Sequence, residues 1–343
     1  MRIAVDAMGS DKAPGPEVRG AVDASLAGDV EILLVGDETM LQSALEIYPK
    51  RGKISIVHAS QVIAMHDSPI QAVRQKKDAS ILVGLRLVKH GEAAGFVSAG
   101  NTGAVMMAAR TILGPIRGVA RSPICQQLPT KNGKVLLVDL GANVDCSARH
   151  LCDFAEMGAI YSKFVLDVAN PRVGLLNIGE EQLKGNDVTK TVHRNLSAAT
   201  NINFIGNIEP RAMFEGQADV VVCDGFVGNM VLKTTEAAGG LVSHIIKREF
   251  RRTWISMLGG LFAYGAFKRI RHDVDPNEYF GAPLLGVNGA VIILHGSAMA
   301  RGVANAIRGA RLAVEANINE RIRCGAEELR NAEAALNAAE SKP

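Results

Sequence analysis

The chain has 343 residues, of which 48% are hydrophobic, 21% charged and 4% aromatic. These are globular values, with enough apolar material for one large core or two lobes. A net charge of +3, with no aromatic residues interleaved in a basic stripe, gives no footing for nucleic-acid binding.

The start, Met1 to Asp6, reads as a first strand at 3–5 rather than a charged leader with an apolar stretch behind it. Further short apolar runs at 31–35, 54–57, 95–98, 135–139, 173–177, 203–205 and 220–223 predict strands. They are continuous more than alternating, the pattern of strands covered on both faces. Helical patterns fall between most of them, at 16–26, 38–46, 80–89, 102–112, 151–166 and 187–195. This alternation predicts a three-layer α/β/α body on a mainly parallel sheet. The last third differs: 229–252 reads as one long helix and 288 to about 336 as mostly helical. The stretch 327–343 is rich in Ala, Glu and Asn and is expected to fray or be disordered, which leaves 1–326 as a single α/β domain. No apolar stretch reaches the roughly 20 residues of a membrane-spanning helix.

Five apolar runs end in loops rich in glycine and asparagine: SAGNTG at 98–103, DLGAN at 139–143, GEEQLKGN at 179–186, DGFVGN at 224–229 and GAPLLGVNG at 281–289. Glycine lets backbone N–H groups approach a ligand closely, and a helix that follows points its positive end at the same spot. In open α/β sheets ligands gather at the carboxyl ends of strands, where these loops fall. The expectation is a site for an anion, most simply phosphate. No GxSxG elbow and no metal-ligand spacing accompany the loops, so the bound anion itself is the expected nucleophile. The five cysteines (Cys125, Cys146, Cys152, Cys223, Cys324) form no CxxC pair, which fits a reducing cytosol. Cys146, with His150 close in sequence, is the one to watch, against the simpler reading of a small buried hydrophobe. His295 follows the apolar run 291–294 and reads as a core histidine, with a place facing the site as the alternative.

These loops, with VDAMGSD at 5–11, NIGEE at 177–181 and KGN at 184–186, occur in order over 1 to about 310. Together they resemble the bacterial phosphate acyltransferases of phospholipid synthesis, which act on acyl-acyl carrier protein. The resemblance implies a fold similar to phosphotransacetylase and isocitrate dehydrogenase, a homodimer, no cofactor, and a fatty acyl donor on acyl carrier protein. It also implies an acyl phosphate product passed to a membrane glycerol-3-phosphate acyltransferase, hence a cytoplasmic enzyme at the inner face of the membrane.

Attack of phosphate on a thioester suits this inventory. A phosphate group, with a second pKa of about 6, is largely dianionic at neutral pH. A thiol leaving group with a pKa of about 8.5 departs with little acid help. What remains is positioning and stabilisation of the oxyanion. Lys184 is the expected neutraliser of phosphate charge, Asn101 a donor and Asn229 the oxyanion donor. Gly100, Thr102, Gly103, Asn143, Gly185, Asn186 and Gly228 are the expected binding residues, although each asparagine is equally readable as a helix cap. HDSP at 66–69, with Arg74, Lys76 and Lys77, also matches the family and reads either as a contact to phosphate or phosphopantetheine or as a solvated basic helix face. Lys76, Lys77, Arg248, Arg251 and Arg252 offer charge for an acidic carrier.

The stretch WISMLGGLFAYGAF at 254–267 has no charge and is flanked by cations. Its Trp254, Leu258, Leu261, Phe262 and Phe267 suit a membrane interface; a hairpin buried between lobes or subunits is the alternative. Rival activities are a coenzyme A-dependent phosphotransacetylase, a nicotinamide-dependent dehydrogenase (weakened because no GxGxxG follows the first strand) and a non-catalytic membrane scaffold.

Overall fold

The computed structural model describes residues 1–28 and 30–340. Eleven strands are present in these residues: β1 (Arg2–Asp6), β2 (Glu31–Gly36), β3 (Ile54–His58), β4 (Gly95–Ser98), β5 (Cys125–Thr130), β6 (Gly133–Val138), β7 (Val173–Leu176), β8 (Phe204–Ile208), β9 (Val220–Val222), β10 (Ala282–Leu284) and β11 (Ala290–Ile293). The α-helices are α1 (Gly15–Leu26), α2 (Glu38–Glu46), α3 (Pro69–Gln75), α4 (Ser80–Lys89), α5 (Thr102–Ile112), α6 (Ala148–Phe164), α7 (Asp187–Ala198), α8 (Pro210–Phe214), α9 (Gly225–Phe250), α10 (Trp254–Phe262), α11 (Tyr264–Val274), α12 (Ala300–Glu315) and α13 (Ile318–Glu340). The tail expected to fray overlaps the second half of α13, and 341–343 lie outside the described residues.

The mainly parallel arrangement holds, but in two sheets rather than one. The first runs β10-β11-β4-β1-β2-β3 and the second β5-β6-β9-β7-β8. Pairing is parallel throughout except for β10 on β11 and β5 on β6. Both antiparallel strands lie at a sheet edge and carry a proline, Pro283 and Pro129, which an edge strand tolerates.

Alternation of side chains along each strand sets the layers. Ile3 and Val5 of β1 pack with Val18 and Val22 of α1 and Val303 and Ile307 of α12. Ala4, between them, faces the opposite way, into a core with Leu85 of α4 and Val105 of α5. That same core holds Leu137 of β6 and Val221 of β9, so buried side chains of the two sheets meet in one cluster. The far face of the second sheet, with Leu136 and Val220, packs on Phe154 of α6, Val192 of α7 and Ile322 of α13.

The sequence reading of 288–336 as helical misses β11, which returns to pair with β4. A four-residue apolar run cannot be told from helix by periodicity. The long helix begins at Gly225, not Asn229, because Asp224 caps it by accepting from Val227 N at 2.8 Å.

Candidate active site

Asp6 ends β1 fully buried. Its Oδ2 accepts from Ser98 Oγ at 2.7 Å and its Oδ1 from Met8 N at 3.1 Å. Ser98 Oγ in turn accepts from Gly100 N at 3.0 Å. Burial pushes the Asp6 carboxyl up, against hydrogen bonds from Ser98, Ser80 and Met8 that pull it down. Gly9 closes over the pair, where a Cβ would lie 2.5 Å from Asp6 Oδ2 and 2.7 Å from Gly100 Cα. The loops after β1 and β4 therefore touch backbone to backbone.

Asn101 caps α5 by accepting from Ala104 N at 3.0 Å. Its Nδ2 donates to the carbonyls of Ala64, Met65 and Asp67 at 3.3, 3.0 and 3.1 Å. Gly103 gives Pro69 room, since a Cβ there would meet Pro69 Cγ at 2.8 Å. Lys76 Nζ bonds Asp67 at 2.6 Å and the Val62 carbonyl at 2.8 Å. Both Asn101 and Lys76 thus commit their donors to the 62–69 segment. Lys77 Nζ donates to the Val73 carbonyl at 3.4 Å. Thr102 is exposed in the first turn of α5.

At the second sheet, Asp139 follows β6 fully buried. Its carboxylate accepts from the N–H groups of Ile124, Leu140, Ala142 and Asn143 and from Asn143 Nδ2, at 2.6 to 3.2 Å. Burial raises its pKa and these donors oppose the rise. Asn143 Nδ2 also donates to the Ser122 carbonyl at 3.1 Å, so this amide is a structural clamp. Gly225 N donates to the Asn143 carbonyl at 2.8 Å, which locks the start of α9 onto the loop after β6. Asn229, in the second turn of α9, is exposed. It lies beside Gly141, where a Cβ would sit 3.6 Å from Asn229 Cβ, and its amide has no hydrogen bond among the described residues.

The loop after β7 is held by Asn177, whose Nδ2 donates to the Lys184 carbonyl at 3.1 Å. Gly185 takes a positive φ of 90°, and a Cβ there would lie 2.7 Å from Asn177 Oδ1. Asn186 caps α7 through Thr189 N at 2.9 Å. The Lys184 stem passes over Gly179, with Cγ 2.9 Å from a Cβ built there. Its ammonium is exposed and unpaired among the described residues. No hydrogen bond or ion pair among them joins Asn101, Lys184 and Asn229.

Cys146 is no activated nucleophile. Burial first, then the charges of Asp139 and Asp224, push its thiol up to about 11. His150 Nδ1 accepts from Ser147 N at 3.1 Å as part of a capping box, so that nitrogen is not free for it. Among the described residues no group of three or more His, Cys, Asp or Glu is placed to hold a metal.

Arg248 and Arg252 both pair with Glu249, at 2.9 and 3.3 Å. With His244, Lys247 and Arg251 they line a groove of about 770 Å³. In the apolar tip, Trp254 is 71% and Phe262 88% exposed, and Leu258 and Leu261 are exposed as well. Phe267 instead turns inward, edge-on to Phe250 with ring centroids 5.2 Å apart. No helix of the described residues is long and apolar enough to cross a membrane.

A family model described as "Fatty acid synthesis protein" matches residues 1–321. A phosphate acyltransferase of Pelobacter propionicus is 49% identical over 309 residues, 90% of this chain and 89% of that protein. One of Pelotomaculum thermopropionicum is 48% identical over 329 residues, 96% of each. The chain belongs to the phosphate acyltransferase family. Its activity is therefore acyl transfer to phosphate. The fold is shared with a phosphotransacetylase of Streptococcus pyogenes, at a TM-score of 0.64 and 17% identity over 94% of each chain. It is shared too with the EutD phosphotransacetylase of Staphylococcus aureus, at 0.59 and 17% over 92% of this chain and 94% of that one.

Sequence reasoning had found the glycine loops but not Asp6 and Asp139 as the buried hubs that shape them. The available signal was an acidic residue closing an apolar strand directly before a glycine loop.

Proposed function

We propose that this phosphate acyltransferase takes a fatty acyl group from a phosphopantetheine thioester on acyl carrier protein and passes it to inorganic phosphate. Phosphate attacks the thioester carbonyl directly, the carbon–sulfur bond breaks, and thiolate and acyl phosphate leave. No acyl-enzyme forms. The observation that carries this reading is the contrast between a disabled thiol at Cys146 and two unengaged donors, the Lys184 ammonium in the loop after β7 and the Asn229 amide near the start of α9. Lys184 neutralises phosphate, Gly185 leaves its backbone open to it, Gly100 holds the loop after β4 through its bond to Ser98, and Asn229 stabilises the oxyanion beside Gly141. Asn101, Asn143 and Asn186 shape the loops; Thr102, Gly103 and Gly228 complete them.

The exposed tip of α10 rests on the inner membrane surface, where a long-chain acyl phosphate meets a membrane acyltransferase. Arg248, Arg251 and Arg252, with Lys77, draw the acidic carrier. The enzyme works as a homodimer, with residues 1–326 as its catalytic domain. Acylated carrier with phosphate should yield an acyl phosphate trapped by hydroxylamine. If acyl group accumulates on the protein in the absence of phosphate, or if only acyl-coenzyme A serves as donor, the reading fails.

A further inference from the structure

Arg121 stands just ahead of β5, whose antiparallel register sets Cys125 opposite Val138 of β6. That register returns 121–124 to the end of β6, where Ile124 N binds Asp139 and the Ser122 carbonyl binds Asn143. Arg149 and His150 open α6, directly after the same loop. The capping box fixes the His150 ring through Nδ1, so Nε2 points elsewhere. Desolvation, then the charges of Arg121 and Arg149, hold the His150 pKa below its ordinary value. Arg121 acts on Cys146 as well.

Both arginines are exposed, and neither has a hydrogen bond or ion pair among the described residues. Some exposed arginines hold carboxylates, as Arg172 does with Asp219 and Arg211 with Glu215. Asp139, in the adjoining loop, and Asp224, at the start of α9, are already occupied: Asp139 accepts five N–H groups and Asp224 caps α9. Asp145, in the same loop, pairs with neither arginine. Two like charges gathered from separate elements, without a counter-ion, suit a ligand that brings the negative charge.

We infer that Arg121, Arg149 and His150 form an anion subsite at the rim of the loop after β6, which takes the phosphodiester of the phosphopantetheine donor. This rests on the donor assigned above. Inorganic phosphate offers the same oxygens, but it must sit within about 3–3.5 Å of the carbonyl it attacks. The pantetheine arm, by contrast, separates its phosphodiester from the sulfur, and a rim position fits such a group. The arm would then run past Gly141 toward Asn229.

The test uses three donors with one acyl chain: acyl carrier protein, acyl-phosphopantetheine, and acyl-pantetheine, which lacks the phosphate. In the Arg121→Ala/Arg149→Ala enzyme, the KM of acyl-phosphopantetheine relative to acyl-pantetheine should rise about tenfold or more, the loss expected of charge-assisted bonds. An unchanged ratio overturns the subsite. So does an equal rise in the KM of inorganic phosphate, or an effect confined to the carrier protein. Calorimetry with free phosphopantetheine reads the same site without turnover: wild type binds it more tightly than pantetheine and the double variant does not distinguish them. A wild type that binds phosphopantetheine yet makes no acyl phosphate would sink the reaction scheme and leave the subsite standing. Arg121→Gln alone, with a partial loss in the same direction, stands in if the double variant does not fold.

Discussion

A Cβ on Gly228 would fall 1.8 Å from the carbonyl oxygen of Asp139. The first turns of α9 therefore lie directly on the backbone that ends β6, with no space for any side chain. This contact holds Asn229 against Gly141, because Gly228 and Asn229 are successive residues of one rigid helix.

Gly228→Ala should separate α9 from the loop after β6. The obstacle is backbone, which cannot swing aside, so the cost should be about 1–3 kcal/mol, as for overpacked cores. Turnover should fall further than the stability loss accounts for, since Asn229 moves with the helix. Thermal melts beside rate measurements check this; a variant with wild-type turnover would show that the contact does not position Asn229.

Lys184→Ala removes an exposed ammonium that no neighbour uses. Turnover should drop roughly 100-fold or more, the scale of a lost electrostatic donor, while the melting temperature barely moves. Comparable losses in both would assign Lys184 to the fold.

Asn101 and Asn229 should behave oppositely. Asn101→Ala loses the cap of α5 and the amide that grips 64–67, and should destabilise by about 1–3 kcal/mol. Asn229→Ala should leave the denaturation midpoint in place and cut kcat about 100-fold or more. Denaturant titrations paired with kcat decide; matching stability losses would refute the distinction.

Glu156 of α6 is buried, and desolvation, then the charges of Glu328 and Asp153, lift its pKa to about 7 against a hydrogen bond from Asn201. A folded-state pKa above the unfolded value of 4.5 means the native state binds more protons, so stability falls as pH rises. The penalty is absent below about pH 4.5, grows to about pH 7 and is full above it. Glu156→Gln, which keeps the shape, should gain about 2–3 kcal/mol over wild type between pH 5 and pH 8. Parallel stability curves across that interval would show that Glu156 is ionised in the native state throughout.

Trp254→Glu with Leu258→Glu should abolish flotation with anionic vesicles, because two charges would enter the apolar tip. Phe267→Ala should weaken the tip through lost packing on Phe250 instead. If the double variant floats as well as wild type, the tip is not the anchor.

How much of the site was legible depended on the range of the interactions involved. The glycine loops could be found because an apolar run followed by Gly and Asn is a local signal. The caps at Asn101 and Asn186 were legible for the same reason, since a cap bonds the N–H three residues on. The second jobs of these side chains were not. Nothing near Asn101 in sequence announces that its amide reaches the carbonyls of 64–67, and nothing near Lys76 announces that Asp67 consumes its charge. The division into two sheets was equally hidden, because β10 and β11 return from the far end of the chain to pair beside β4.

By itself the sequence determined the α/β class, the family and the strand-tip positions of four of the five glycine stretches, all written in short patterns of apolar runs, glycines and caps; the fifth, 281–289, holds β10 instead. Tertiary structure alone decided which donors stay free. Asn101, Asn143 and Lys76 are spent on distant backbone or carboxylate oxygens, whereas Lys184 and Asn229 are not. Such assignments depend on which segments the packed sheets bring side by side, and no local pattern of residues encodes that.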